Sequence, residues 1–326
     1  MTNFEKVFTE SESIKRQIPF QNRIDYFLKQ VVLKPRWILV FLLARFTLVR
    51  LIHQQIYQVF FSASNPITRK ASLFPELDSH KAINSLSTDG IFDCISLPES
   101  IVKEILDFVY ASKCYGGGKP HFGFKIDAKR ELDAAYDKPF FVAKYFNVSD
   151  SCSAIRKLAQ DPKIWQIATA YIGKKAKYTG ASLYWTFPVE DSSYDSDQLG
   201  FCQYHYDLDD FASIRFSFYL TDVDLDAGPH ICILGSHRLR AFLHEANYFS
   251  RRPAEQALKD FYGENKIISL TGKAGSGFIE DTFCFHRGSV PKSTRRLFLQ
   301  LHFAANNYNP TEHHDYRAVE ELRDFG

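Results

Sequence analysis

The chain has 326 residues, enough to bury a large core as one large domain or two. Its composition is that of an ordinary soluble globular protein, and a net charge of +2 sets up no global field to draw nucleic acid. The 30 Phe and 17 Tyr predict a heavily aromatic core or pocket.

The six cysteines (94, 114, 152, 202, 232 and 284) are scattered and include no C-x-x-C pair, so they suggest neither a zinc site nor a disulfide framework. Acids at Glu5, Glu10 and Glu12 with no early apolar run do not form a signal peptide. A reducing cytoplasm is therefore expected, and the sequon Asn147-Val148-Ser149 is set aside.

Residues 1–75 read as an N-terminal extension. The start is mixed and polar to about Gln30; Pro35 to Phe61 then predicts an apolar, basic helix. Its unbroken apolar run, Trp37 to Ala44, is too short to span a bilayer, which needs ~20 residues. Beyond Arg45, Thr47, Arg50, Gln54 and Gln58 recur as a polar stripe. Between Asp25 and Glu76 there are seven Lys/Arg and no acid. The leading expectation is a helix packed on the following domain or on a partner chain. The alternative is peripheral membrane contact through residues 35–61, with the basic residues on anionic headgroups. A membrane-spanning helix ranks last. Ser62 to Pro75 reads as a linker.

Residues 76–326 read as the main domain. Asp89-Gly90 precedes a short strand from Ile91 to Ile95, and Pro98-Glu99-Ser100 opens a helix with Ile101, Ile105, Leu106 and Val109 on one face. Gly116-Gly117-Gly118-Lys119 lacks the spacing of a phosphate loop and reads as a flexible surface or lid loop. Phe140 to Phe146 is a strand containing Lys144, and Asp161-Pro162 starts a helix through Tyr171 that Gly173 closes.

From Lys177 short runs alternate with turns. Tyr178 to Phe187 is a strand, Glu190 to Asp197 an acidic loop, and Phe201 to Asp207 a strand. Ile214 to Thr221 puts Ile214, Phe216, Phe218 and Leu220 on one face. Strands follow at Ile231–Leu234, Lys266–Leu270, Gly277–Phe285 and Leu297–Phe303, with an insertion at about 238–265. Roughly eight strands with flanking helices predict a mainly β fold, a double-sheet jelly roll.

The chemistry concentrates at Gln203-Tyr204-His205-Tyr206-Asp207. On a strand, i and i+2 point the same way, so His205 and Asp207 can reach one metal ion. His286 supplies a third ligand. Two His and one carboxylate on one face of an octahedron form the ligand set of non-haem Fe(II) oxygenases. Three positions stay open, two for a chelating keto acid and one for O2. The keto acid's distal carboxylate needs a cation, and a planar guanidinium grips it with two parallel hydrogen bonds. Arg296, ten residues after His286, can supply it. Alternation puts Arg296, Phe298, Gln300 and His302 on one face and Arg295 on the other. Gln203 shares the face of His205 and reads as a substrate or outer-sphere contact; Tyr184 and Thr186 share one strand face and are candidates to touch the cosubstrate. His230 reads as either a pocket residue or a satisfied buried polar one; His237 reads as a hydrogen-bonder near its turn, and His313 and His314 as solvated.

Residues Asp89 to Phe303 resemble the phytanoyl-CoA dioxygenase family of Fe(II)/2-oxoglutarate oxygenases. The pieces that carry the likeness are Gln203 to Asp207, Ala227-Gly228-Pro229-His230-Ile231-Cys232-Ile233-Leu234-Gly235-Ser236-His237-Arg238, Gly277-Phe278-Ile279-Glu280-Asp281, Phe285-His286-Arg287-Gly288-Ser289, and Arg296. The resemblance implies a double-stranded β-helix with Fe(II) at one open end, held by His205, Asp207 and His286. It implies 2-oxoglutarate and O2 as cosubstrates, with Arg296 as the clamp and Lys144 as a further contact. Hydroxylation of a small organic or lipid-like substrate is the default outcome, with succinate and CO2 released. The presence of Asp207 disfavours the related halogenase variant, which lacks this carboxylate. Leu234 stands where the family has Pro, His230 where it has an apolar residue, and Pro291-Lys292 near its usual Asn. The rival expectation is an inactive jelly-roll binding or scaffold protein.

Overall fold

The computed structural model describes residues 35–60, 71–135, 140–173, 176–188, 202–240, 253–306 and 316–324. The N-terminal helices α1 (Pro35–Leu43) and α2 (Thr47–Phe60) lead into α3 (Ser79–Thr88), β1 (Ile91–Ser96) and α4 (Glu99–Ala111). Next come β2 (Lys113–Gly116), β3 (Gly123–Lys125), α5 (Lys129–Ala135) and β4 (Val142–Tyr145). Helices α6 (Val148–Ser151), α7 (Ser153–Ala159) and α8 (Pro162–Ile172) precede β5 (Lys177–Thr186), β6 (Ser213–Tyr219) and β7 (His230–Ile233). The chain continues through α9 (Glu255–Tyr262), β8 (Ile267–Leu270), β9 (Ser276–Asp281), β10 (His286–Gly288) and β11 (Arg296–Ala304).

Eight antiparallel strands form one sheet in the order β1-β9-β6-β11-β5-β4-β2-β3, and β10-β7-β8 form a second. This is a jelly roll, mainly β with flanking helices. The outer face of the large sheet carries Ile214, Phe216, Phe218, Leu297, Leu299, Leu301 and Trp185, all buried against apolar residues of α3, α4, α7 and α8. Those side chains alternate with inward-facing ones, so the sheet covers its core on one side and presents a polar and aromatic lining on the other. Tyr219 joins the two sheets: its hydroxyl donates to the Leu270 carbonyl at 2.8 Å and accepts from His230 N at 2.9 Å.

Local chemistry explains the element ends. Asp161 caps α8 by accepting from the amides of Lys163 and Ile164, with Pro162 in the first turn. The same carboxylate accepts from Ser72 Oγ and from Leu73 N at 2.6 Å, tying segment 71–74 to the helix layer.

Four expectations change in detail. The predicted helix from Pro35 to Phe61 is two helices, broken at Ala44-Arg45-Phe46 by a turn in which Phe46 N bonds Leu43 O. The first part of the polar stripe faces inward: Thr47 and Arg50 are buried and Gln54 is half-buried, while Leu48 is 70% exposed. Gly277–Phe285 is not one strand. It stops at Asp281, whose carboxylate accepts from Phe283 N at 2.9 Å and so makes an Asx turn, and β10 begins at His286. Gly117 and Gly118, both at positive φ, form the tight turn between β2 and β3 rather than a lid. The acidic loop 190–197, most of the insertion and His313/His314 lie outside the described residues.

Candidate metal centre

The ligand segment is irregular around His205. Only His205 itself bridges to a neighbour, exchanging two backbone hydrogen bonds with His286 (2.9 and 2.8 Å) at the edge of the small sheet. Asp207 N then bonds Thr282 O at 2.9 Å. A regular strand was expected across Phe201–Asp207. The Asx turn after Asp281 replaces the partner strand there, so the backbone pairs residue by residue instead.

The three side chains nonetheless converge. One donor atom from each of His205, Asp207 and His286 lies within 4.8 Å of the others, among the described residues. His205 Nε2 is 4.0 Å from Asp207 Oδ1 and His286 Nε2 is 3.7 Å from Asp207 Oδ2. Both imidazoles are oriented through their other nitrogen. His205 Nδ1 contacts Gln203 O at 2.7 Å, and His286 Nδ1 contacts Cys284 O at 2.9 Å. A carbonyl only accepts, so each Nδ1 carries the proton and each Nε2 presents a lone pair toward the shared space. The exposed Gln203 thus enters the site through its carbonyl.

A second layer surrounds the triad. Arg215 Nη2 makes an ion pair with Asp207 Oδ2 at 2.6 Å and donates to Asp209 Oδ2 at 3.0 Å. His230 stacks on the His286 ring, centroids 5.3 Å apart, and its Nε2 lies 3.0 Å from Glu280 Oε2. Burial pushes the His230 imidazole below its usual range, against the pull of Glu280. Burial alone would raise the Glu280 carboxyl, but the imidazoles of His230 and His286 outweigh it and hold the group at about 2. His230 and Glu280 thus form a buried pair just behind the site.

Arg296 lies buried on the inner face of the large sheet, with its guanidinium carbon 5.0 Å from the Phe298 ring centre. Its Nη1 donates to Gly228 O. Gly228 has φ +76°, and a Cβ there would meet Ser289 O and Pro291 at 2.7 Å, so only glycine brings that carbonyl to the arginine. Arg296 pairs directly with Thr186 in the ladder, so the two side chains share a face. Arg296 Nε and Thr186 Oγ1 are both buried without a hydrogen-bond partner among the described residues. Phe298 and His230 stack between this pair and the triad, with ring centres 6.5 Å apart. Tyr184 meets Phe298 edge-on at 5.8 Å, and half-buried Lys144 pairs with Tyr184 in the ladder. Arg295 lies on the opposite face, 4.7 Å over Trp185.

The sequence alone assigned no role to Arg215, Glu280 or His302. The signal for Arg215 was present: it stands among Ser213, Ser217 and Tyr219, opposite the apolar set of its own strand.

No protein-family model and no curated protein matches the chain. Solved structures similar to it include the non-heme alpha ketoglutarate dependent epimerase SnoN from nogalamycin biosynthesis, at 14% identity over 69% of this chain and 82% of that one, TM-score 0.47. The carbocyclase SnoK from the same biosynthesis is 16% identical over 72% and 87%, TM-score 0.46. HygX from Streptomyces hygroscopicus, with nickel and 2-oxoglutarate bound, is 12% identical over 77% and 96%, TM-score 0.47. At these overlaps the reading of the site rests on its own residues.

Proposed function

We propose that the chain is an Fe(II)- and 2-oxoglutarate-dependent oxygenase that hydroxylates a C–H bond of a small organic or lipid-like substrate. The observation that carries this reading is a convergent His-Asp-His donor set, together with a buried guanidinium on the inner face of the large sheet whose Nε has no hydrogen-bond partner among the described residues. A buried donor left unpaired costs about 1–3 kcal/mol, and an anion lying against Arg296 and Thr186 would remove that cost for both groups.

His205 and His286 would hold the metal through Nε2, with their Nδ1–H groups fixed by carbonyls, and Asp207 would complete the set. Bound iron would supply the coupling of O2 to decarboxylation of 2-oxoglutarate, with one oxygen atom going to succinate and the other to the substrate as hydroxyl. Arg296 and Thr186 would orient the distal carboxylate, with Lys144 and Tyr184 on the same face. Phe278, Phe298 and Tyr219 would keep water from that space. Anaerobic Fe(II) with 2-oxoglutarate is expected to give a metal-to-ligand charge-transfer band that Asp207→Ala abolishes. A wild-type protein without the band would leave a jelly-roll scaffold as the better description.

No helix among the described residues is long and apolar enough to cross a membrane. The helix pair nonetheless turns an apolar face outward: Leu39 (55% exposed) and Leu43 on α1, and Leu48, Ile52 and Ile56 at four-residue steps on α2. Between residues 26 and 75 the sequence has no acid; Arg45 and Arg50 are buried, which leaves Lys29, Lys34, Arg36, Arg69 and Lys70 as the basic residues of this stretch. We infer that this face meets an anionic lipid surface. Full-length protein should pellet with phosphatidylserine-containing vesicles, and Leu48→Glu with Ile52→Glu should abolish pelleting. Binding that ignores both changes would refute the assignment, as would a wild-type dimer that the changes dissolve with no vesicle binding.

A further inference from the structure

The iron-site reading leaves unexplained why a second carboxylate, Asp209, stands two residues from Asp207 without joining the donor set. Both are held by one nitrogen. Arg215 Nη2 lies 2.6 Å from Asp207 Oδ2 and 3.0 Å from Asp209 Oδ2. The guanidinium is itself fixed from the other side, where its Nε donates to His302 Nδ1 at 3.1 Å. Because His302 Nδ1 accepts, the ring carries its proton on Nε2, which lies 3.1 Å from Ser182 Oγ. Arg215 stands directly opposite His302 in the β6/β11 ladder, and Ser182 lies on β5 beyond it. Three strands of the large sheet therefore aim one cation at the carboxylate ligand.

We propose that Arg215 is a positioning residue: it keeps one oxygen of Asp207 occupied, so that this carboxylate offers a metal a single oxygen, and it holds Asp209 out of the donor set. The inference rests on the metal reading of His205, Asp207 and His286. A carboxylate that chelated with both oxygens, or a fourth protein ligand, would consume a position that the keto acid and O2 require. Arg215 also offsets part of the negative charge of the two acids it holds. The planar fork reaches His302 and the two acids at once, which a lysine point charge cannot do.

Cobalt(II) separates this inference from the reading beneath it. Wild-type protein titrated with cobalt(II) is expected to bind one equivalent, followed by visible absorption, and Asp207→Ala to abolish it. If wild type binds no cobalt, the metal reading itself fails. Given binding, Arg215→Met is expected to weaken it by about 10–100-fold and to change the intensity of the cobalt bands as coordination changes; Arg215→Lys recovers part of the affinity but not the wild-type spectrum. An Arg215→Met protein with wild-type melting, affinity and spectrum overturns the inference. Should that variant not fold, the wild-type zinc complex decides by crystallography. One Asp207 oxygen on the ion with Arg215 on the other supports the proposal, and both oxygens on the ion with Arg215 withdrawn sinks it.

Discussion

At the scale of single residues, Arg296 and Thr186 define the sharpest expectation. A hydrogen bond to a charged group contributes about 1.5–3 kcal/mol, roughly 10–100-fold in an equilibrium. Arg296→Lys keeps the charge but loses the fork, so KM for 2-oxoglutarate should rise by about that factor with kcat changed less. Thr186→Val should raise the same KM several-fold without affecting cobalt binding. Equal effects on kcat and metal affinity would point to a folding role instead. Strand alternation separates Arg296 from the neighbouring candidate Arg295 without coordinates, the family resemblance at Leu301-His302-Phe303 favours Arg296, and the two guanidiniums do lie on opposite faces. Glu280 was not legible in this way: its partner His230 stands fifty residues earlier, and only the folded sheets bring them together.

Asp210 gives the pH dependence of stability. Burial pushes its carboxyl up to about 6, and hydrogen bonds from Phe211 N and from Asn306 only partly oppose this. A carboxyl with a raised folded pKa binds its proton more tightly folded than unfolded. Its contribution is complete below the unfolded value near 4 and is lost as pH rises through about 6. Raising pH from 4 to 8 should therefore remove on the order of 2–3 kcal/mol through this group. Urea midpoints at the two pH values, compared between wild type and Asp210→Asn, measure it; the variant should flatten the difference.

At the scale of elements, α2 departs most from what its residues suggested. Hydrophobicity alone would turn a stripe of Thr47, Arg50, Gln54 and Gln58 toward solvent. Arg50 reverses this. It is buried, donates to His237 O at 2.8 Å, lies 3.4 Å over the Phe283 ring and stands 3.9 Å from Asp281. Asp281 in turn accepts from Tyr171 at 2.6 Å and sets the turn ahead of β10. The partners come from three distant stretches, so no local pattern could announce them. Removing one member of such a buried pair costs about 3–5 kcal/mol. Arg50→Ala should lower the urea midpoint accordingly and open residues 35–60 to protease, whereas Gln54→Ala should leave both unchanged.

For the whole molecule, the consequence is that the N-terminal helices are part of what supports the site. Val40 and Ala44 are fully buried in a cluster with Tyr204, Tyr206, Phe283 and Phe285, the residues that flank His205 and His286 in sequence. Gly90 closes the same region from the α3 side. It has φ +78°, and a Cβ there would lie 2.2 Å from Cys284 Sγ and 2.5 Å from His237 Nδ1. The jelly roll was legible from alternation and turns, while the order of its strands comes only from the folded sheets. The cover over the small sheet comes from the N-terminal segment, for which the leading expectation is a helix packed on the following domain or on a partner chain. Deleting residues 1–60 would expose Tyr204, Tyr206, Phe283 and Phe285 and leave Asp281 without Arg50. The truncated protein should therefore aggregate or melt well below the full chain, and lose cobalt affinity even where it stays soluble. A truncation that retains wild-type melting and cobalt binding would show the helices to be dispensable. Otherwise the vesicle experiment has to use outward-facing substitutions such as Leu48→Glu in the intact chain, because removing the helices would disturb the metal centre along with the lipid-facing surface.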